Sequence, residues 1–296
     1  MRGFVVENLE PLSLARGPRI AGMYALSPYV WKEGDAYSLM LRIVPDEPNP
    51  ADKIARIHYG RSKDGLHFIL DDEPVIAPGP DADDLDGCED PTVIALPEGY
   101  FVYYTGWNET RKEGKLLLAK GPDPKRLAKI GVAIESAPDR RNPKEATVIA
   151  TPQGDWRMFF EYAAGEASKI GVARAATVDG PWSLAQPLCA ARPGRWDGWH
   201  ISTGPVWQPQ HGAPIMFYNG ANQNAHWRIG WIMLDASYVQ IVERAEEPLI
   251  IPPPPEGDAT DIAFAASCIS EGDLVQLYYS VADKDMLRAT LRPIWN

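Results

Sequence analysis

The sequence predicts an all-β chain folded as a five-bladed β-propeller, and three observations carry that expectation. Five segments repeat one pattern, a Gly-containing turn followed by an aromatic and aliphatic run: GDAYSLMLR from Gly34, GYFVYYTGW from Gly99, GDWRMFFEY from Gly154, GAPIMFYNG from Gly212 and GDLVQLYYS from Gly272. The repeats stand roughly 60 residues apart, the size of a four-stranded propeller blade. None of the runs has the apolar spacing of an amphipathic helix. A β-sandwich also spaces hairpins regularly, but it does not repeat one composition five times.

Each Gly turn reads as the link between the first and second strands of a blade. The first strands, in order, are SPYVW, DPTVIAL, EATVIAT, GPVWQP and AASCIS, and the second strands are the repeats themselves. Third strands follow at ARIHYGRS, KLLLAKG, SKIGVARA, WRIGWIML and MLRATL, and fourth strands are expected at PVIAP, KIGVAI, WSLAQPL and PLIIP. Either FVVENL near the start or LRPIW at the end is expected to complete a blade begun by the other end of the chain. Residues 1–296 are thus read as a single propeller domain with a central funnel.

Bulk properties narrow the partner. With 45% apolar and 23% charged residues the 296-residue chain can bury a large core. A formal charge of -11 argues against a grip on nucleic acid or anionic lipid, which needs clustered Lys and Arg. A neutral small molecule fits better. No run is long and apolar enough for a membrane span or a signal peptide, so a cytoplasmic location is expected. Cys88, Cys189 and Cys268 are read as reduced, mostly buried thiols, and the five histidines lack metal-ligand spacing, so neither a metal nor a cofactor is expected. Asp81, Asp83, Asp84 and Asp86 read as a solvated loop, and the prolines at 252–255 as a stiff connector.

In a propeller the first strands line the axis, so their entrances converge. Those positions are Ser27, Glu89, Asp90, Lys144, Glu145, Ser202, Thr203 and Phe264, and the second-strand ends add Arg42, Trp107, Glu161, Tyr162, Asn219, Tyr279 and Asp283. His200 stands at the entrance of blade four. Carboxylates, a few cations, hydroxyls and aromatic rings suit a sugar, whose hydroxyls need directional partners and whose C–H face stacks on rings. Glycoside cleavage needs two carboxyl groups flanking the bond, and Asp90, Glu89, Glu145, Glu161 and Asp283 are the candidates.

GCEDPTV at 87–93, KEATVIATPQGDWRMFFE, WDGWHISTGPVW at 196–207 and MFYNGANQNAHWRIGWIMLDASYVQIVERAEEPLIIP together resemble glycoside hydrolase family 130. The resemblance runs from SPYVW to YYSVADKDMLRATL. It implies a five-bladed propeller that acts on mannose-containing oligosaccharides, as a β-mannoside phosphorylase or a β-mannosidase. It implies that Asp90, of the EDP element, is the general acid, that Asp283 bonds the mannose, and that Arg42 lines the same subsite. Ser62, Asp64 and Gly65 match a turn signature of the family. The chain departs from the pattern of family phosphorylases at three places: Thr92 in place of an arginine, Glu161 and Tyr162 in place of a His-Arg pair, and Ser27 in place of an asparagine. A carboxylate there would repel phosphate and could activate water, so an inverting hydrolase is the expectation, with Glu161 or Glu145 as base. The alternatives are a phosphorylase of the same family and a sugar-binding propeller without activity. The arabinan- and fructan-cleaving propellers are disfavoured, because the first strand of blade one begins Ala25-Leu26-Ser27-Pro28 and carries no carboxylate.

Overall fold

In the computed structural model, which describes residues 3–49, 52–255, 257 and 259–294, the chain forms five small sheets around an axis. It opens with β1 (Gly3–Pro11) and β2 (Ser13–Ala15). Blade one is β3 (Tyr24–Glu33), β4 (Ala36–Val44), β5 (Arg56–Ser62) and β6 (His67–Leu70). Blade two is β7 (Gly87–Leu96), β8 (Gly99–Asn108), β9 (Glu113–Gly121) and β10 (Ala128–Ile134). Blade three is β11 (Arg141–Ala150), β12 (Trp156–Ala164), β13 (Ala167–Ala175) and the short β14 (Ser183–Leu184) and β15 (Cys189–Ala190). Blade four splits its first strand into β16 (His200–Ser202) and β17 (Val206–Trp207), followed by β18 (Ile215–Ala221), β19 (Trp227–Leu234) and β20 (Ile241–Arg244). Blade five is β21 (Ala263–Glu271), β22 (Leu274–Val281) and β23 (Asp285–Ile294), and β1 completes it, pairing antiparallel with β23 from Gly3↔Ile294 to Pro11↔Leu287. Of the two expected closures, FVVENL supplies the strand. The next segment, β2, runs parallel to β6 at the edge of blade one, so residues 3–15 bridge the first and last blades.

The five-bladed expectation holds, and the repeat glycines show why it was legible. Gly34, Gly99, Gly154, Gly212 and Gly272 all have positive φ, which the tight turn requires and glycine adopts without Cβ strain. The second strands are mostly apolar because both faces are covered. On β4, Leu39, Leu41 and Ile43 pack toward blade five while Met40 packs toward blade two. Each neighbouring pair of blades encloses such a cluster.

Two expected fourth strands are misplaced. PVIAP and PLIIP each make only isolated bridges, Ile57↔Ile76 and Ile229↔Ile250, and the outer strands are His67–Leu70 and Ile241–Arg244. Asp84 is a second correction: it is wholly buried, accepting from Tyr104 Oη at 2.8 Å and facing Lys129 Nζ at 2.6 Å. Asp197 does the same in blade four, accepting from Tyr218 Oη at 2.7 Å and Arg192 Nε at 3.0 Å. Both aspartates satisfy a buried second-strand tyrosine, which a solvated loop could not do.

Candidate active site

Hydrogen bonds between neighbouring blades run round the axis and fix the first strands against one another. Ser267 Oγ donates to Pro28 O and accepts from Val30 N, both at 2.8 Å, joining blades five and one. Ser27 Oγ donates to Asp90 Oδ1 at 2.7 Å, joining one and two. Thr92 Oγ1 donates to Ala146 O, and Thr147 Oγ1 to Gly204 O at 2.9 Å, joining two to three and three to four. Asn219 closes the circuit, accepting from Ala265 N at 2.7 Å. Thr92 and Asn219 are therefore part of this belt.

The same first strands carry a repeated distortion. In blades one, two and three the register with the second strand shifts between Leu26 and Tyr29, between Glu89 and Thr92, and between Lys144 and Thr147. Ser27, Asp90 and Glu145, the first residue inside each bulge, have φ of 52°, 51° and 54°. Left-handed backbone at a non-glycine residue costs about 1–3 kcal/mol and persists where the surroundings over-determine it, commonly at functional sites.

These residues wall an axial cavity of about 210 Å³ together with Arg42, Lys144, Glu161, Trp227, Phe264 and Asp283. An outer cleft of about 650 Å³ shares Leu26, Arg42 and Asp283 with it and extends past Tyr24, Lys53, Thr260 and Lys284. Arg42 donates to Glu89 Oε1 at 2.9 Å and stands 3.7 Å from Asp90 Oδ1. Lys144 Nζ lies 3.5 Å from Glu161 Oε1, and that charge keeps the ammonium protonated above its ordinary range. The second oxygen, Glu161 Oε2, is buried and has no hydrogen-bond partner. Burial lifts the carboxyls of Glu89, Glu145 and Asp283, that of Glu145 well above the usual range with the Asp90 charge adding to the effect.

Eight of the expected residues, Ser27, Arg42, Asp90, Lys144, Glu145, Glu161, Phe264 and Asp283, thus meet at one cavity. Glu89 sits behind them, bonded to Arg42. His200 is set back, its ring stacked on Trp227 at 6.1 Å and 15°, and burial lowers its pKa. Trp107 is outside the wall, with Nε1 donating to Glu109 at 2.8 Å. Tyr162 is a correction: it is 6% exposed and packs beside Phe160 in the core between blades two and three. Successive strand residues face opposite sides, so Tyr162 cannot share the cavity with Glu161. Sequence reasoning missed Trp227. It begins a third strand, which the funnel argument left out, and it packs against Phe264 at 5.5 Å to make the aromatic side of the cavity. Among the described residues, no group of three or more His, Cys, Asp or Glu could hold a metal ion, and no helix is long and apolar enough to cross a membrane.

The axis of the propeller thus gathers four carboxyl groups, two cations and a pair of aromatic rings at one cavity. A family model described as beta-1,4-mannooligosaccharide phosphorylase matches residues 47–292, and the chain belongs to glycoside hydrolase family 130. It is 26% identical over 247 residues to a beta-1,2-mannobiose phosphorylase of Listeria innocua serovar 6a; the match takes in 79% of this chain but 65% of that relative's length. A 1,2-beta-oligomannan phosphorylase of Thermoanaerobacter sp. is 23% identical over 249 residues, 78% of this chain and 76% of that one. Among solved structures, the Listeria innocua beta-1,2-mannobiose phosphorylase in complex with beta-1,2-mannobiose aligns with a TM-score of 0.77 at 21% identity, over 97% of this chain and 92% of that one. A family 130 structure described with hydrolases that target beta-1,2 mannosidic linkages in Candida mannan also aligns at 0.77, with 19% identity over 97% and 94%.

Proposed function

We propose that this protein cleaves β-mannosides in the axial cavity, with inversion, Asp90 delivering a proton to the departing group. The observation that carries the reading is Asp90 itself. It is a carboxyl 5% exposed, at φ 51° on the axis, bonded by Ser27 and set in the EDP element of a family 130 chain. Trp227 and Phe264 offer rings on which a sugar face stacks.

The acceptor separates two readings. Water was the expectation from the sequence, but phosphate is better supported by relationship, because the relatives described above are named phosphorylases. Arg42 and Lys144 are the cations on the cavity wall that would face it. Hydrolysis stands as the second reading on one observation: Glu161 Oε2 is buried and unpartnered, free to take a proton from a water. The carboxyl groups of Asp90 and Glu161 on the same wall also disfavour a phosphate dianion.

The deciding experiment incubates the protein with β-1,2- and β-1,4-mannobiose, with and without phosphate, and identifies the released sugar. Mannose 1-phosphate formed only with phosphate establishes phosphorolysis, and free mannose in phosphate-free buffer establishes hydrolysis. In either case Asp90→Asn should lower turnover about 10²–10⁴-fold. A folded protein that releases neither sugar overturns the proposal.

A further inference from the structure

Ser27 ties the Asp90 carboxyl to the rest of the ring. Its Oγ donates to Asp90 Oδ1 at 2.7 Å, across the boundary between blades one and two. On the other side its N–H donates to Ser280 Oγ of β22 at 3.0 Å, and the carbonyl of the next residue, Pro28, accepts from Ser267 Oγ of β21 at 2.8 Å. Blade five thus holds the Ser27 backbone while the side chain reaches blade two. The left-handed φ of 52° is the conformation that this double attachment maintains.

Asp90 needs such a tie. Its own left-handed backbone, at φ 51°, fixes where Cβ points, but rotation of a carboxyl about Cβ–Cγ is broad and roughly two-fold, so the backbone does not set the carboxyl plane. Arg42 does not set it either. Its Nη1 stands 3.7 Å from Asp90 Oδ1, beyond hydrogen-bond reach, and its Nη2 is given to Glu89 Oε1 at 2.9 Å. The guanidinium therefore supplies charge without direction. A hydroxyl at 2.7 Å supplies direction, because a hydrogen bond weakens steeply as it bends. Ser27 and Arg42 both face Oδ1, so Oδ2 is the oxygen left for the substrate.

We infer that Ser27 is a positioning residue whose hydroxyl holds the plane of the Asp90 carboxyl and turns Oδ2 toward the sugar. The inference rests on the reading of Asp90 as the acid. A catalytic group displaced by about 1 Å can cost about 10²-fold in rate, which sets the scale of what the bond protects.

Three variants separate the hydroxyl from the backbone. Ser27→Ala and Ser27→Gly both remove the hydroxyl, and the glycine also relieves the left-handed backbone, so it should melt no lower than the alanine. Ser27→Asn keeps an N–H donor in a residue that tolerates positive φ. On the mannobiose that the protein cleaves, kcat should fall about 10–100-fold in Ser27→Ala and Ser27→Gly with KM within about twofold, and Ser27→Asn should recover part of the loss. On a dinitrophenyl β-mannoside, whose leaving group departs without a proton, the loss should be about tenfold smaller. Asp90→Asn, measured alongside, calibrates the contrast. If it loses equally on both substrates, the acid assignment fails and this inference with it; if it shows the contrast and the Ser27 variants do not, this inference alone is overturned. A crystal structure of Ser27→Gly needs no substrate. There the Asp90 carboxyl should be turned about Cβ–Cγ or divided between two orientations, and a single orientation matching the parent's overturns the inference whatever the protein cleaves.

Discussion

Burial and the Asp90 charge lift the Glu145 carboxyl well above its reference value of 4.5, so the folded chain holds a proton there that the unfolded chain has already released. The stabilising contribution is complete below 4.5 and is lost as pH rises through the folded value. Glu145→Gln mimics the protonated state at every pH. It should therefore melt at the same temperature as the parent in acid and progressively higher toward neutrality, by about 2–4 °C per kcal/mol recovered. A gain that is constant with pH, or largest in acid, contradicts the assignment, and thermal scans at a series of pH values decide it. Most of the cavity could be named in advance, because Ser27, Asp90 and Glu145 stand at strand entrances that propeller geometry sends to the axis. Tyr162 and Trp227 were misjudged for opposite reasons: the first ignores the two-residue alternation of a strand, and the second belongs to a strand whose inner end was not considered. The bulges themselves left no mark that one sequence exposes, since Ser-Pro, Asp-Pro and Glu-Ala have no common signature.

Strand by strand, legibility followed burial. Second strands covered on both faces read as largely apolar runs, whereas the outer strands β6 and β20 are short and solvated, with Ile69 71% and Val242 59% exposed. PVIAP and PLIIP, more apolar but bounded by proline at both ends, drew the assignment away from them. The repeat glycines offer a graded test of the turn argument. Gly154 has φ 86° and a Cβ added there meets nothing within 4 Å, so Gly154→Ala should cost only the left-handed backbone term, about 1–2 kcal/mol. At Gly99, φ 136°, the same Cβ would come 2.6 Å from Gly121 O, so Gly99→Ala should be the more damaging. Denaturant titration of both variants measures the order, and equal stabilities would show that the turns do not depend on glycine.

At the scale of the whole molecule, five cores among the described residues lie between blades and none of them within a blade alone, so no sheet buries its faces unaided. We propose on that ground that residues 1–296 act as one domain and unfold in a single cooperative step. Calorimetric and van't Hoff enthalpies should then agree, and two resolved transitions would count against the proposal. The pairing of β1 with β23 adds a constraint in time. β1 is made long before β23 and must wait for it, so a growing chain exposes an unpaired edge and an open ring until β23 emerges. A pairing of such long range is reached slowly, and open edges meanwhile invite the edge of another copy. Losing a few residues of β1 therefore threatens the molecule more than their number suggests, because β23 is its partner in that blade and their pairing closes the ring.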